Sequence, residues 1–359
     1  MTMCPFPFRG VMVKTDGQLV TCCYGENIQG LHRSTHTIEQ AFNSPEFQQI
    51  RLNLINGVKD SHCKKCWDLE EQGVESLRQQ ELRTEEFDQD VFINPRLEYL
   101  FLSLSNQCNL KCRTCSPSDS SFWIKEFEQR TGIKKTVYLE PDDSVFFSSF
   151  KQNTLPHLKE IAFTGGEPLM MKSVQRILET LDPNVSLTFY TNGTFYNPSI
   201  LEKFKDVNLA VSIDGIGQRF EYMRHPAKWN EITDNLKLMG SNLKAITCTA
   251  SAYNVWYIDE VADFADSLGV DFMAHILFEP NNLSVLSLPY DVRLEIADKL
   301  SKNANSQIQK IAEYLKTEAD DKWESFVNDV QQGDSIRQEN YKEVFSEFYN
   351  ILERHGKTI

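Results

Sequence analysis

The 359-residue sequence contains no apolar run long enough to cross a bilayer, and its mean hydropathy is −0.41. An integral helical membrane protein is therefore excluded. The first residues, MTMCPFPFRG, lack the charged-then-apolar pattern of an export signal, so a cytoplasmic location is expected. There is no excess of positive charge either. Lys and Arg number 37 against 51 Asp and Glu, a net charge of −14, and that field disfavours a non-specific grip on nucleic acid. No internal repeat or low-complexity tract is visible. With 41% apolar and 25% charged residues, the chain has enough core-forming material to offset the entropy of ordering it, so wholesale disorder is excluded as well.

What the sequence does have is cysteine, unevenly placed. Cys4, Cys22, Cys23, Cys63, Cys66, Cys108, Cys112 and Cys115 fall in the first third, and Cys248 stands apart. Disulfide frameworks belong mostly to small exported chains. Clustered thiols in a long chain without an export signal are expected to hold metal.

Three regions separate, 1–90, 91–289 and 290–359. In the first, VMVKTDGQLVTCC alternates about Asp16-Gly17 and reads as a hairpin. SPEFQQIRLNLING reads as a helix capped by Ser44 and stopped by Gly57. CKKCWDLEEQGVESLRQQELRTEEF reads as a second helical stretch with a solvated charged face. The middle region alternates strands with helices. Strands are expected at 97–105, 160–164, 186–191, 208–213, 244–251 and 271–278, and helices in FWIKEFEQR, KSVQRILETL, PSILEKFK, NEITDNLKLMG and WYIDEVADFADSLG. Strands separated by helices require a parallel sheet, and ligands gather at the C-terminal strand ends of such sheets. Residues 131–158 read as an insertion with turn signals at Pro141-Asp142 and Leu155-Pro156. The last region is charged and mostly helical by pattern. The expected fold class is α/β, with a small cysteine-rich N-terminal domain and a helical C-terminal extension.

The densest motif is SNQCNLKCRTC, which sets Cys108, Cys112 and Cys115 at C-x3-C-x2-C spacing after the first strand of the middle region. Three thiolates are one short of closing a zinc tetrahedron or an iron–sulfur cube, and soft sulfur suits either metal. Thr164-Gly165-Gly166-Glu167-Pro168 follows the second strand, TNGT the third and SIDG the fourth. Together these motifs resemble the radical S-adenosylmethionine (SAM) enzymes over residues 96–280. The resemblance implies a partial (β/α)6 barrel and a 4Fe–4S cluster on the three cysteines, with one iron open to SAM. It implies SAM contacts from Gly165, Gly166, Glu167, Pro168, Asn192, Ser212, Asp214 and Arg224. It implies reductive cleavage of SAM to a 5′-deoxyadenosyl radical that removes a substrate hydrogen atom, with electrons from a donor such as flavodoxin or ferredoxin. The family usually has an aromatic residue before the third cysteine. Here Thr114 stands there, and Phe122 or Trp123 is the neighbour expected beside the adenine.

Cys4, Gly17 and Cys22 at C-x12-G-x4-C, followed by Cys63 and Cys66 at C-x2-C, resemble the twitch and SPASM auxiliary-cluster modules of that family. Here the module precedes the barrel. The implied role is a second 4Fe–4S cluster with every iron ligated, and Cys22 keeps the glycine spacing where Cys23 does not. A four-cysteine zinc knuckle is the competing reading. Cys248 and His275, on the fifth and sixth strands, are candidate catalytic groups, with packing as the plainer reading of both. Tyr253 and Asn254 end the fifth strand, where ligand contacts or loop packing are expected. Phe122, Trp123 and Phe127 lie at helical spacing and read mostly as core. His32 and His36 suit no further metal site.

The expected function is hydrogen-atom abstraction from a peptide or protein side chain, with the auxiliary cluster as electron relay. A twitch-type dehydrogenase of a small alcohol, sugar or nucleotide is the alternative. A zinc-stabilised adaptor without catalysis is the reading from another class. No membrane partner is expected.

Overall fold

The computed structural model describes residues 2–71, 75–83, 89–141, 144–151 and 154–359. The chain divides into two compact units. One holds Met1–Gln107, Val137–Tyr190 and Asn197–Asn208, and the other Cys108–Thr136, Thr191–Tyr196 and Leu209–Ile359. The strands are β1 (Gly10–Val13), β2 (Leu19–Val20), β3 (Tyr99–Ser103), β4 (Glu160–Thr164), β5 (Ser186–Thr191), β6 (Val207–Ser212), β7 (Leu243–Ala250) and β8 (Asp271–Ile276). Among the described residues, the helices of seven residues or more are α1 (Pro45–Ile55), α2 (Lys64–Glu71), α3 (Leu77–Arg83), α4 (Ile124–Thr131), α5 (Lys172–Thr180), α6 (Trp229–Met239), α7 (Ile258–Leu268), α8 (Tyr290–Ser301), α9 (Ser306–Leu315), α10 (Trp323–Arg337) and α11 (Ser346–Arg354). This is the α/β class expected, mostly parallel, with a helical C-terminal region. None of these helices is long and apolar enough to cross a membrane.

In the first unit β1 and β2 form the expected hairpin, with Met12 opposite Val20. Gly17 at its turn has φ +93°, and a Cβ there would come within 2.3 Å of the His32 ring. Both the conformation and the space demand glycine. The hairpin pattern does not reveal that β1 also pairs in parallel with β3. β4 then pairs in parallel with β3, and β5 with β4. Leu100, Leu102, Ile161, Phe163, Leu187 and Phe189 are buried on one face, while Tyr99, Phe101, Thr188 and Tyr190 alternate with them and are half-buried. Helix α5 buries Val174, Ile177 and Leu178, each worth about 1.5–3 kcal/mol of transfer free energy.

Two expected helices differ. PSILEKFK forms only a 3-10 turn, Pro198–Ile200. The Asn197 carboxamide accepts from the Ser199 amide at 3.2 Å and hydroxyl at 2.8 Å, offering the backbone a local alternative to a helix. The CKKC stretch is two helices, α2 and α3. Its face is not wholly solvated, because Arg78 is buried, 4.5 Å from the centre of the Trp67 ring. Ser44 caps α1 by accepting from the Phe47 amide at 3.3 Å, as expected. Of the Pro141-Asp142 turn signal, Asp142 lies outside the described residues.

In the second unit β6, β7 and β8 are parallel neighbours. Helices α4, α6 and α7 form where the periodicity predicts them, and Gly269 ends α7 in the left-handed region. In the C-terminal region α8 carries a wholly buried Arg293. Its guanidinium donates to the carbonyls of Leu288, Leu315, Thr317 and Ala319 at 2.6–3.1 Å. A buried cation is tolerated there because its hydrogen-bonding capacity is used.

Candidate metal centres

In the first unit Cys4, Cys22, Cys63 and Cys66 line one cavity with Phe6, Pro7, Thr21, Tyr24, Leu77 and Arg78. The hairpin delivers Cys22. Cys63 lies in the 3-10 turn before α2, and Cys66 in its first turn. Asp60 fixes that entry. It accepts from the His62 amide at 2.9 Å and from Asn53 at 2.6 Å, and its carbonyl takes the Trp67 indole N–H at 2.8 Å. Cys23 is exposed and does not line the cavity. Burial pushes the Cys63 thiol up to about 12, with the charges of Asp60 and Cys66 adding to it and Arg78 opposing. Cys4 and Cys22 are raised by burial and by the neighbouring thiols. Metal binding at four converging thiols would release their protons. Among the described residues no three His, Cys, Asp or Glu side chains close on a single metal-ion position. The thiols surround a cavity instead, a donor set that fits a fully ligated cluster.

The Gly165–Pro168 turn also lies in the first unit. Gly165 has φ +109°, and a Cβ on it would stand 2.7 Å from the Ser105 carbonyl oxygen; one on Gly166 would stand 2.0 Å from that of Gln107. The Gly166 amide donates to Ser105 at 3.0 Å and the Glu167 amide to Gln107 at 2.8 Å. The glycines thus have a need internal to the fold: they let this turn lie against the chain leaving β3. Glu167 is wholly buried, and its carboxylate accepts from the Leu169 amide at 3.2 Å.

In the second unit residues 108–115 form an irregular loop. Its backbone is strapped to another segment: the Lys111 amide donates to His225 at 2.8 Å and the Arg113 amide to Met223 at 2.7 Å. Between those two acceptors Arg224 reaches back, with Nη1 3.8 Å from Cys112 Sγ and Nη2 2.8 Å from Asp214. The Asp214 carboxylate accepts from the Thr249 amide at 2.8 Å. Asn192 Nδ2 lies 3.7 Å from Cys108 Sγ and 3.0 Å from Asn109 Oδ1. Burial pushes Cys112 up to about 11 against the lowering effect of Arg224, and Cys115 is raised by burial and by the two other thiols. Half-buried sulfurs that already receive N–H donors are suited to hold thiolate charge, so the residues fit an iron–sulfur cluster.

The second unit therefore brings together Cys108, Cys112, Cys115, Asn192, Asp214 and Arg224. Ser212 lies on β6 with its hydroxyl 3.0 Å from that of Thr247. Cys248 is buried, its sulfur 3.7 Å from Asn254 Nδ2, and His275 is exposed on β8. Tyr253 is buried and donates to Asp329 at 2.6 Å. Phe122 is 47% exposed, so it departs from the core reading. Trp123 is buried and donates its indole N–H to the Cys112 carbonyl at 2.6 Å. Sequence reasoning missed Lys111 and Arg113, whose alternation with the cysteines was the available signal, and their carboxylate partners.

Residues 102–268 match the family model described as the radical SAM superfamily, and residues 4–67 match the one described as an iron–sulfur cluster-binding domain, SPASM. An uncharacterised protein of Methanocaldococcus jannaschii is 26% identical over 205 residues, 54% of this chain and 66% of that protein. A GTP 3′,8-cyclase of a Synechocystis species is 26% identical over 181 residues, 47% of this chain and 51% of that enzyme. The chain thus spans between half and two thirds of these relatives' lengths. Among solved structures, AdoMet-bound anSMEcpe is 19% identical at a TM-score of 0.42, covering 58% of this chain and 59% of that one. Streptococcus suis SuiB bound to precursor peptide SuiA is 12% identical at 0.38, covering 94% and 73%.

Proposed function

As a radical SAM protein with a SPASM iron–sulfur domain ahead of its radical SAM domain, this chain takes SAM and iron–sulfur clusters as cofactors; we propose that it removes a hydrogen atom from a peptide or protein side chain. The observation that carries this reading is the Cys108, Cys112 and Cys115 loop, with N–H donors from Asn192 and Arg224 on two of its sulfurs. When bound there, a 4Fe–4S cluster carrying SAM supplies the one-electron chemistry that makes a carbon–hydrogen bond reactive. The chain's own residues do the rest. Cys108, Cys112 and Cys115 hold the cluster. Gly165, Gly166, Glu167, Pro168, Asn192, Ser212, Asp214 and Arg224 bind and orient SAM. Cys4, Cys22, Cys63 and Cys66 hold the auxiliary cluster as an electron relay. The division at residues 90 and 289, a flavodoxin or ferredoxin donor, and a cytoplasmic location belong to the same proposal.

The net charge of −14 favours a neutral or basic peptide over a polyanionic substrate. A second reading, a nucleotide substrate, is supported by the relatives named GTP 3′,8-cyclase. The test is anaerobic purification and reconstitution, followed by reduction with SAM. Brown protein with about eight irons per chain, releasing 5′-deoxyadenosine, is the expected result. Deuterium passing into that product from a labelled peptide, and not from labelled GTP, separates the two substrates. Colourless protein with stoichiometric zinc would sink both.

A further inference from the structure

Lys111 and Arg113, between the three cysteines, have partners of their own. Arg113 is 2% exposed. Its guanidinium lies 4.0 Å from the centre of the Tyr222 ring and pairs with Asp334 at 2.7 Å and Glu339 at 2.5 Å. Asp334 also accepts from the Tyr222 hydroxyl at 2.6 Å and the Tyr341 amide at 2.7 Å. Glu339 also pairs with His225 at 2.8 Å, and His225 is the residue whose carbonyl takes the Lys111 amide. Asp334 lies in the last turn of α10. Glu339 follows directly after it, past Gln338 in the left-handed region at φ +54°. Gly333 makes the approach possible: a Cβ there would stand 2.0 Å from Arg113 Nη1. Glycine weakens a helix interior, and at this position it leaves room for the guanidinium.

We propose that the end of α10 is a clamp on the cysteine loop and that Arg113 is a positioning residue for the cluster. Held by Asp334 and Glu339, Arg113 fixes the path of the chain between Cys112 and Cys115. It also places one buried positive charge, balanced by two carboxylates, in the loop that carries the ligand cysteines. This inference rests on the proposed reading that Cys108, Cys112 and Cys115 carry the cluster. It assigns the 290–359 region a part in the centre that the sequence pattern did not suggest.

The test uses the full chain, first without metal and then anaerobically reconstituted. In the metal-free protein, amide hydrogen exchange at Lys111 and Arg113 should quicken at least tenfold in R113Q and in G333A, while the strands of the first unit keep their protection. G333A alters no charge, so it keeps the test open if R113Q folds poorly. In reconstituted protein the readout is the midpoint potential of the cluster whose electron-paramagnetic signal changes on adding SAM. Removing the cation in R113Q should lower that midpoint. Removing a carboxylate in E339Q should raise it, and the double variant should lie between them. Unchanged exchange in G333A overturns the clamp. Midpoints that stay put, or move in one direction for both single variants, overturn the electrostatic role. Wild-type protein with no SAM-sensitive signal overturns the proposed function instead, a failure distinct from the clamp's because exchange is read without metal.

Discussion

Glu126, on α4, is 3% exposed and lies among three cations. It pairs with Lys111 at 2.8 Å, Arg130 at 2.5 Å and Arg337 at 3.0 Å. Burial pushes its carboxyl up, but Arg337, then Lys111 and Arg130, overcome that and bring it from 4.5 down to about 2. The sign follows directly. Between pH 4.5 and 2 the unfolded chain binds a proton that the folded chain refuses, so stability falls as the pH falls through that window. The full contribution, about 3 kcal/mol, is present above pH 4.5 and shrinks to about 1 kcal/mol at pH 3. Glu126→Gln keeps the shape and removes the charge. Urea denaturation of metal-free protein should place E126Q about 3 kcal/mol below wild type at pH 7, with the gap narrowing toward pH 3. A gap of the same size at both pH values would show that the ionisation of Glu126 adds nothing net to stability.

Cys112→Ala should abolish 5′-deoxyadenosine release, because two thiolates cannot hold the cluster; persistent product refutes the ligand assignment. Cys63→Ala should lower total iron by about half while sparing the SAM-sensitive signal, and unchanged iron would remove Cys63 from the auxiliary set. Gly166→Ala should cost about 1–3 kcal/mol of stability by overpacking against Gln107, measured by denaturation without SAM. A variant equally stable but weaker for SAM would make the glycine a ligand contact alone.

The cysteine motifs and most βα units were legible because their signals are local: thiol spacing, a period of two in the strands and of 3.6 in α5, α6 and α7. What escaped was decided by partners far along the chain. The parallel pairing of β1 with β3 joins segments almost ninety residues apart, and nothing within VMVKTDGQLVTCC distinguishes a free hairpin from one that extends a sheet. Arg78 looks solvated until Trp67 covers it. PSILEKFK has the composition of a helix but is preceded by Asn197, whose side chain captures the backbone first. Arg113 and Asp334 lie 221 residues apart, and charge alone could not pair them among 51 acidic residues.

The Arg113–Glu339 pairing also bears on the order in which the protein matures. Synthesis runs from the N-terminus, so the pocket bounded by Cys4 and Arg78 is spelled out by the first quarter of the chain and can close early. The loop bearing Cys112 emerges soon afterwards. Its arginine must wait for the two acids that neutralise it, 221 and 226 residues further along. The cysteine-lined pocket and the cysteine loop therefore acquire their partners at different stages of synthesis. A chain cut back to residue 289 would keep Cys108, Cys112 and Cys115 but lose both carboxylates that pair with Arg113.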